Sequence, residues 1–355
     1  MRNSQVQLVL LVSVLLILTV VSVAWAESTV VLKLDPSRRF QTIEGFGASI
    51  GWYDGWLTVH PNREGIYDAI FSELGLDILR LQNWYGKQDK FGLDYGQIVE
   101  AGRKRIGDDL KILISSWAPP ADLKSNNRPD DGGTLKKQDG RYVYELFADY
   151  WYDSLQTYAK LGIVADYISI QNEPDFEAEW NCNMLSAEET DDIAGYPQAL
   201  DAVYNRLQAM DSPPKILGPE VVGVGYGVIQ DYLNNMNLDQ IYGIAYHLYH
   251  GGTHHAIPDS YNSNLLRVAK EYPNIPVFQT EYEAGDGYDT VRIIHNTLVY
   301  GNASAYLYWD LVWDDAGLVA MEFPWDRGRW QTEEGYYRTE RYYAFKHYSK
   351  YISDG

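Results

Sequence analysis

Asp166-Tyr-Ile-Ser-Ile-Gln-Asn-Glu-Pro-Asp175 is the stretch on which the reading of this chain turns. Tyr167 to Ile170 make a short apolar run of the kind that forms a buried strand. A carboxamide pair and a carboxylate, Gln171-Asn172-Glu173, follow with no turn signal between. Pro174 has no N–H and cannot continue a ladder, so the strand has to end there. Glu173 then sits at a strand's carboxyl end, beside amides able to hydrogen-bond a polar ligand. Alone, it reads equally well as a loop-facing acid. A second stretch, Ile275-Pro-Val-Phe-Gln-Thr-Glu-Tyr282, repeats the arrangement and ends on Glu281.

Outward from these two stretches the chain alternates. Strands are expected at Ile43–Ser49, Asp77–Gln82, Lys111–Ser116, Tyr167–Ile170, Lys215–Glu220, Ile241–His247, Ile275–Tyr282 and Ala303–Trp309. Helices are expected at Pro61–Leu74, Leu93–Ile106, Arg141–Leu161, Pro197–Met210, Tyr226–Met236, Pro258–Tyr272, Asp286–Tyr300 and Tyr336–Ile352. The helix over Arg141–Leu161 carries Val143, Phe147, Tyr150, Trp151, Leu155 and Tyr158 at helical spacing on one face. Near-continuous apolar strands alternating with helices imply a parallel sheet. Eight such units predict an α/β protein with a (β/α)8 TIM barrel over residues 43–355. Glu173 is then on the fourth strand and Glu281 on the seventh. Residues 29–42 alternate like a further strand, with a turn at Asp35-Pro36.

The chain has 355 residues, enough for one large core. Arg2, an uncharged apolar run from Leu8 to Val23 and the small-residue site Ala24-Trp25-Ala26 read as a secretory signal peptide over residues 1–26, and hence a secreted, extracellular protein with no membrane association once it is cut. An uncleaved anchor is the alternative. The formal net charge of −20 argues against nucleic acid, whose phosphates need clustered Lys and Arg. The single cysteine, Cys182, excludes an intrachain disulfide and is expected to be a buried small hydrophobe. The loop Lys124–Gly140, rich in Asn, Asp, Gly and Lys, is expected on the surface of the active face.

In a (β/α)8 barrel the carboxyl ends of the strands build the site. Here they gather Ser49 and Trp52, Arg80 with Trp84 and Tyr85, Trp117, Asn172 and Glu173, Glu220, His247 and Tyr249, Glu281, and Trp309. Two carboxylates at the same ends of two strands suit glycoside hydrolysis: one protonates the leaving oxygen, the other attacks carbon or activates water. Aromatic planes stack on the apolar face of a sugar, and amides or imidazole bond its hydroxyls. With 11 Trp and 30 Tyr, some of these rings also fill core. His247, His250, His254 and His255 cluster, but at a strand end and in a Gly-Gly loop, where their spacing does not define a metal site. Neither a catalytic metal nor a cofactor is expected. The sequon Asn302-Ala-Ser304, at the start of the last strand, is expected to be buried and unglycosylated.

Ile43-Glu-Gly-Phe-Gly47, Ser116-Trp-Ala-Pro-Pro120, Gln171-Asn-Glu-Pro174, His247-Leu-Tyr249, Gln279-Thr-Glu-Tyr282 and Tyr343-Ala-Phe-Lys-His-Tyr-Ser349 occur in that order. Together they resemble glycoside hydrolase family 30, and within it the bacterial endo-β-1,4-xylanase branch. The resemblance runs from about Val30 to the end of the chain. It implies a retaining hydrolase acting on xylan as a monomer, with Glu173 as acid/base and Glu281 as nucleophile. Asn172 would bond the sugar 2-hydroxyl, Arg80 and Tyr249 would hold Glu281, and Trp117 and Trp309 would wall the sugar site. His247 would orient its neighbours and Glu220 would be a supporting acid. The resemblance also implies a side β-domain. The chain ends at Asp354-Gly355, so the expectation is that the strand over residues 27–42 is left over from a side domain whose C-terminal part is missing. Xylanases of this branch resemble one another in an arginine after the eighth strand that grips a glucuronate side group. The corresponding run here, Asp310 to Glu322, has no arginine, although Arg327 and Arg329 follow. A β-1,6-glucanase and a non-catalytic carbohydrate-binding barrel are the competing readings.

Overall fold

The computed structural model describes residues 31–86, 94–225, 227–249, 257–283 and 285–353. The expected signal peptide and the histidines 250, 254 and 255 lie outside them. The first of two compact units, Met1–Phe40, is described from residue 31. Its turn is present: Asp35 accepts Ser37 N–H through Oδ1 at 3.0 Å and Arg38 N–H through its carbonyl at 3.2 Å. The strand expected over residues 29–42 is not found in its described part, where no ladder pairs residues 31–42. A single alternating segment has no hydrogen-bonding partner of its own and needs a neighbouring strand to become a sheet.

The second unit, Gln41–Gly355, is a closed barrel of eight parallel strands. They are β1 (Gly45–Ile50), β2 (Ile78–Gln82), β3 (Lys111–Ser115), β4 (Tyr167–Ser169), β5 (Lys215–Val221), β6 (Gly243–His247), β7 (Val277–Glu281) and β8 (Ala305–Tyr308). β1 closes the ring by pairing with both β2 and β8, setting Ser49 opposite Arg80 and Gly47 opposite Leu307. A Cβ on Gly47 would stand 2.5 Å from the Ile78 carbonyl, so the closure admits no side chain there.

Helices follow the strands, among them Tyr95–Ile106, Tyr144–Lys160, Tyr196–Leu207, Val228–Asn235, Asn262–Glu271, Gly287–Val299 and Glu340–Ser349. The apolar face of Tyr144–Lys160 buries Phe147, Tyr150, Trp151, Leu155 and Tyr158, as its spacing predicts. The last expected helix is shorter than its pattern. Tyr336–Arg338 pairs as a strand with Val319–Met321, and Thr339 then caps the helix by accepting the Tyr342 N–H. With Val312–Trp313 these segments form a three-stranded sheet after β8 that hydrophobic periodicity did not reveal.

Inside the barrel the strands stack in layers, because side chains alternate with period two. One layer is apolar: Ile78, Leu113, Tyr167, Leu217, Ala245, Phe278 and Leu307 form a cluster of their own. Two residues further along β2, β3, β4 and β6 come Arg80, Ser115, Ser169 and His247, all fully buried. The same face of each strand thus changes from apolar to polar toward the carboxyl end. At the opposite end Glu44 accepts hydrogen bonds from Tyr167 Oη at 2.8 Å and from Tyr242 Oη. That motif residue closes the barrel's floor and lies away from the carboxyl-end face.

Candidate active site

Arg80 is the hub of the polar layer. It is wholly buried, and each face of its guanidinium fork is satisfied. Nε donates to Ser115 Oγ at 3.1 Å; Nη1 donates to Ser49 Oγ at 3.2 Å and to Glu281 Oε2 at 2.6 Å. Nη2 donates to Asn172 Oδ1 at 2.7 Å and faces Glu220 Oε1 at 3.2 Å. The Trp117 ring lies 4.5 Å from the cation's carbon. A buried charge survives only with such complete pairing.

Glu281, the last residue of β7, has both oxygens engaged: Arg80 holds Oε2, and Tyr249 Oη donates to Oε1 at 3.0 Å. Burial pushes this carboxyl up, against the opposing pull of the His247 and Arg80 charges. Burial and the adjacent carboxylates push the Tyr249 phenol well above its ordinary range, so it remains a donor. His247 Nδ1 lies 2.8 Å from Glu173 Oε1, while Nε2 faces Glu220 and Glu281 at 3.8 and 3.9 Å. Burial disfavours its charge, but the surrounding Glu281, Glu173 and Glu220 overcome that and raise it to about 9. For Glu220, burial is likewise outweighed by Arg80 and His247, which hold it at about 2. The group is an alternation of two cations and three carboxylates.

Glu173 lies four residues past the end of β4, which stops at Ser169, well before Pro174 demands it. The intervening backbone is held by its neighbours: Asn172 N–H donates to the Ser116 carbonyl at 2.8 Å, and Glu173 N–H to the Glu220 carbonyl at 3.0 Å. Glu173 and Glu220 both take left-handed backbone angles, φ +45° and +61°. Non-glycine residues rarely do so, and such strain gathers at functional sites. Gln171 does not face a ligand. Its Nε2 donates to the Trp117 and Asn172 carbonyls, so it braces the loop that carries Trp117.

Donor oxygens and nitrogens of Glu173, His247 and Glu281 all lie within 4.8 Å of one another. The trio has a metal-like spacing, but its carboxylates already face Arg80, Tyr249 and His247 as hydrogen-bond partners.

A cleft of about 540 Å³ opens over these groups, with Glu173 and Glu281 in its wall. Trp52, Trp117, Tyr249 and Trp309 line it as the sequence suggests. Trp309 packs against Gly51, where a Cβ would come within 3.0 Å of the indole. Trp84 and Tyr85 are not in the lining. Trp84 is buried edge-on behind Trp52 at 5.5 Å and donates to Tyr95 Oη; Tyr85 packs at 6.2 Å from Tyr150. Arg80, Glu220 and His247 lie beneath the lining, and act through the residues above them. Five lining residues were not singled out beforehand: Phe176, Trp180, Val222, Glu283 and Trp313. Glu283 was the legible one, two positions past Glu281. Burial pushes it up, with the Arg341 charge opposing. The loop from Lys124 is tied down, because the buried Lys124 Nζ donates to the carbonyls of Gly132 at 2.6 Å and of Cys182. Cys182 is buried, as expected.

Residues 75–195 match the Glycosyl hydrolase family 30 TIM-barrel domain. Over these residues the chain carries a glycoside hydrolase family 30 domain. Among relatives of this chain, glucuronoxylanase XynC of Bacillus subtilis is 25% identical over 77% of the chain and 61% of the relative. An endo-1,6-beta-D-glucanase of Neurospora crassa is 27% identical over 47% of the chain and 41% of the relative. The barrel superposes on a family 30 subfamily 8 xylanase of Clostridium acetobutylicum with TM-score 0.66 at 23% identity, over 90% of this chain and 74% of that one. The chain spans about 60% of the length of the curated relatives it matches over most of its own length.

Proposed function

We propose that this family 30 chain is a retaining endo-β-1,4-xylanase that works by double displacement. The observation that carries the mechanism is the approach of one carboxylate oxygen of Glu173 to one of Glu281 within 4.8 Å. Retention needs carboxyl groups roughly 5–5.5 Å apart, whereas inversion leaves room for a water at about 6.5–9.5 Å. Glu281 is the nucleophile, because Arg80 and Tyr249 fix both its oxygens. Glu173 is the acid/base, standing across the cleft against His247. Asn172, nearly buried and outside the cleft lining, accepts from Arg80 through Oδ1, which leaves its amide nitrogen as the donor for the sugar 2-hydroxyl, a bond that tightens as the oxocarbenium-like transition state forms.

The similarity to glucuronoxylanase XynC supports xylan. Among the described residues that line the cleft there is no Lys or Arg. Arg329 pairs with Asp326, and Arg327 lies 5.7 Å from the Trp330 ring. Of the acids after β8, Asp314 and Asp315 are exposed, whereas Asp310 is buried, which pushes its carboxyl well above its ordinary value and takes it out of the rim. We therefore propose cleavage that does not depend on glucuronate, by an enzyme secreted through the leader at residues 1–26. The likeness to an endo-1,6-beta-D-glucanase makes β-1,6-glucan the competing substrate. Reducing-sugar assays on linear xylan, arabinoxylan, β-1,6-glucan and mannan test the substrate, and the product anomer followed by NMR tests the mechanism. An initial α-product refutes retention, and cleavage of β-1,6-glucan alone refutes the xylanase.

A further inference from the structure

We propose that the rings running out of the cleft along the segments after β1 and β8 form a track for distal units of a neutral glycan chain. This rests on the glycosidase reading above and adds to it a second binding region. The Trp309 ring, in the cleft wall, lies 6.0 Å from Trp313. Trp313 lies 4.2 Å from Tyr53, which stacks on Trp56 at 4.5 Å. Trp56 in turn meets Phe323 and Trp325 edge-to-face at 4.8 and 5.3 Å. Phe323 and Trp325 are parallel within 8°, with centroids 5.6 Å apart. The rings are thus continuous from the wall beside Glu281 to the rim.

Burial does not explain the outer pair. Phe323 is 44% exposed and Trp325 64% exposed, although the inner rings are at least partly covered. Two large rings left in water at the end of a connected path are what a binding surface looks like. They are also held in place: Trp330 Nε1 donates to the Phe323 carbonyl at 3.0 Å, as does Asp326 N–H at 3.0 Å. Trp56 stands perpendicular beneath them as a support. Rings fixed this way lose little conformational entropy when a pyranose face is laid on them. The charges beside the inner part of the path are acidic, Asp314 next to Tyr53 and Glu283 in the cleft, and of the cations near the outer rings Arg329 is paired with Asp326 and Arg327 lies against Trp330, which favours a chain free of uronate over an anionic one. Continuity with the cleft selects the substrate polymer over an unrelated partner.

The test compares W325A and F323A with wild type on arabinoxylan and on 4-nitrophenyl β-xylobioside, which is too short to reach the rim. The expected result is a roughly five- to tenfold rise in polymer KM, about 1–1.4 kcal/mol, with kcat/KM on the aryl substrate unchanged. W325Y restores most of the polymer affinity. The W325A melting curve should overlay that of wild type, since Trp325 is largely exposed. If polymer and aryl rates fall in parallel, or if polymer KM does not move, the track is refuted. If W325A instead changes the sedimentation coefficient while polymer kinetics stay the same, the rings serve self-association and the track is refuted. If wild type cleaves neither substrate but cleaves another β-glycan, the xylanase reading fails alone, and the same comparison on that glycan decides the track. If wild type hydrolyses nothing, the glycosidase reading fails and the track falls with it.

Discussion

Replacing Arg80 by Met tests whether the buried guanidinium organises the site. Met fills much the same volume without charge. The substitution removes the donors to Ser49, Ser115, Asn172 and Glu281, and the charge facing Glu220. Two carboxylates, Glu220 fully buried and Glu281 nearly so, are left without their main cation. Breaking one buried ion pair by removing a single partner costs roughly 3–5 kcal/mol. At about 2 °C per kcal/mol for a chain of this size, R80M should melt some 6–10 °C lower. Removing Glu220's charge as well should recover part of that loss, because the unpaired anion is most of the penalty. Differential scanning calorimetry of R80M, E220Q and the double variant completes the cycle, and a coupling of about 1 kcal/mol or more is expected for groups in one network. Additive losses, or an R80M melting point within about 2 °C of wild type, would refute the view of Arg80 as the hub.

Three further outcomes follow from the same geometry. E281Q should lose activity on every substrate, since no covalent intermediate can form, whereas E173Q should keep the first step on aryl glycosides with good leaving groups and lose polymer cleavage; stopped-flow release of nitrophenol separates them, and equal loss of that step reverses nothing but contradicts both roles. Glu220 is held near 2 against an ordinary 4.5, so its stabilisation is complete above pH 4.5 and lost as pH falls through 2. His247 is raised to about 9 from 6.5, so its contribution is complete below pH 6.5 and lost as pH rises through 9. Melting temperature against pH should flatten on the acid side in E220Q and on the alkaline side in H247N; unchanged limbs would exclude these groups. Initial rates on glucuronoxylan should change little after enzymatic removal of its glucuronate, and a large drop would send attention to Arg327 and Arg329.

The barrel was legible because each strand ran apolar and each helix kept one buried face, signals that survive without knowing any partner. Glu173 and Glu281 were legible for the same reason, Glu281 closing such a strand and Glu173 following one. What lay between elements was not. Tyr336–Arg338 reads as the start of a helix until Val319–Met321 is there to pair with it. Trp84 and Trp52 look alike in sequence, and only the Tyr95 hydroxyl that takes the Trp84 indole N–H turns one into core and leaves the other in the cleft. Phe176 and Trp180 come from the long segment after Glu173, where no period exists to say which way a ring points. Gln171 was read as ligand-facing because residue type names a hydrogen-bonding capacity without naming the partner.

The left-handed backbone at Glu173 and Glu220 sets thermal stability against turnover. Each residue sits where glycine is at ease and a side chain costs roughly 1–3 kcal/mol, and the Glu173 N–H to Glu220 carbonyl bond locks the two together. Glycine at 173 relaxes that backbone and takes one carboxylate from a group in which three carboxylates face two cations, gains set against the lost Glu173–His247 contact, so E173G should melt higher than wild type while hydrolysing nothing. A library of this protein sorted on heat resistance alone will therefore enrich dead variants at position 173. Selection has to be run on released sugar, with melting temperature read only afterwards.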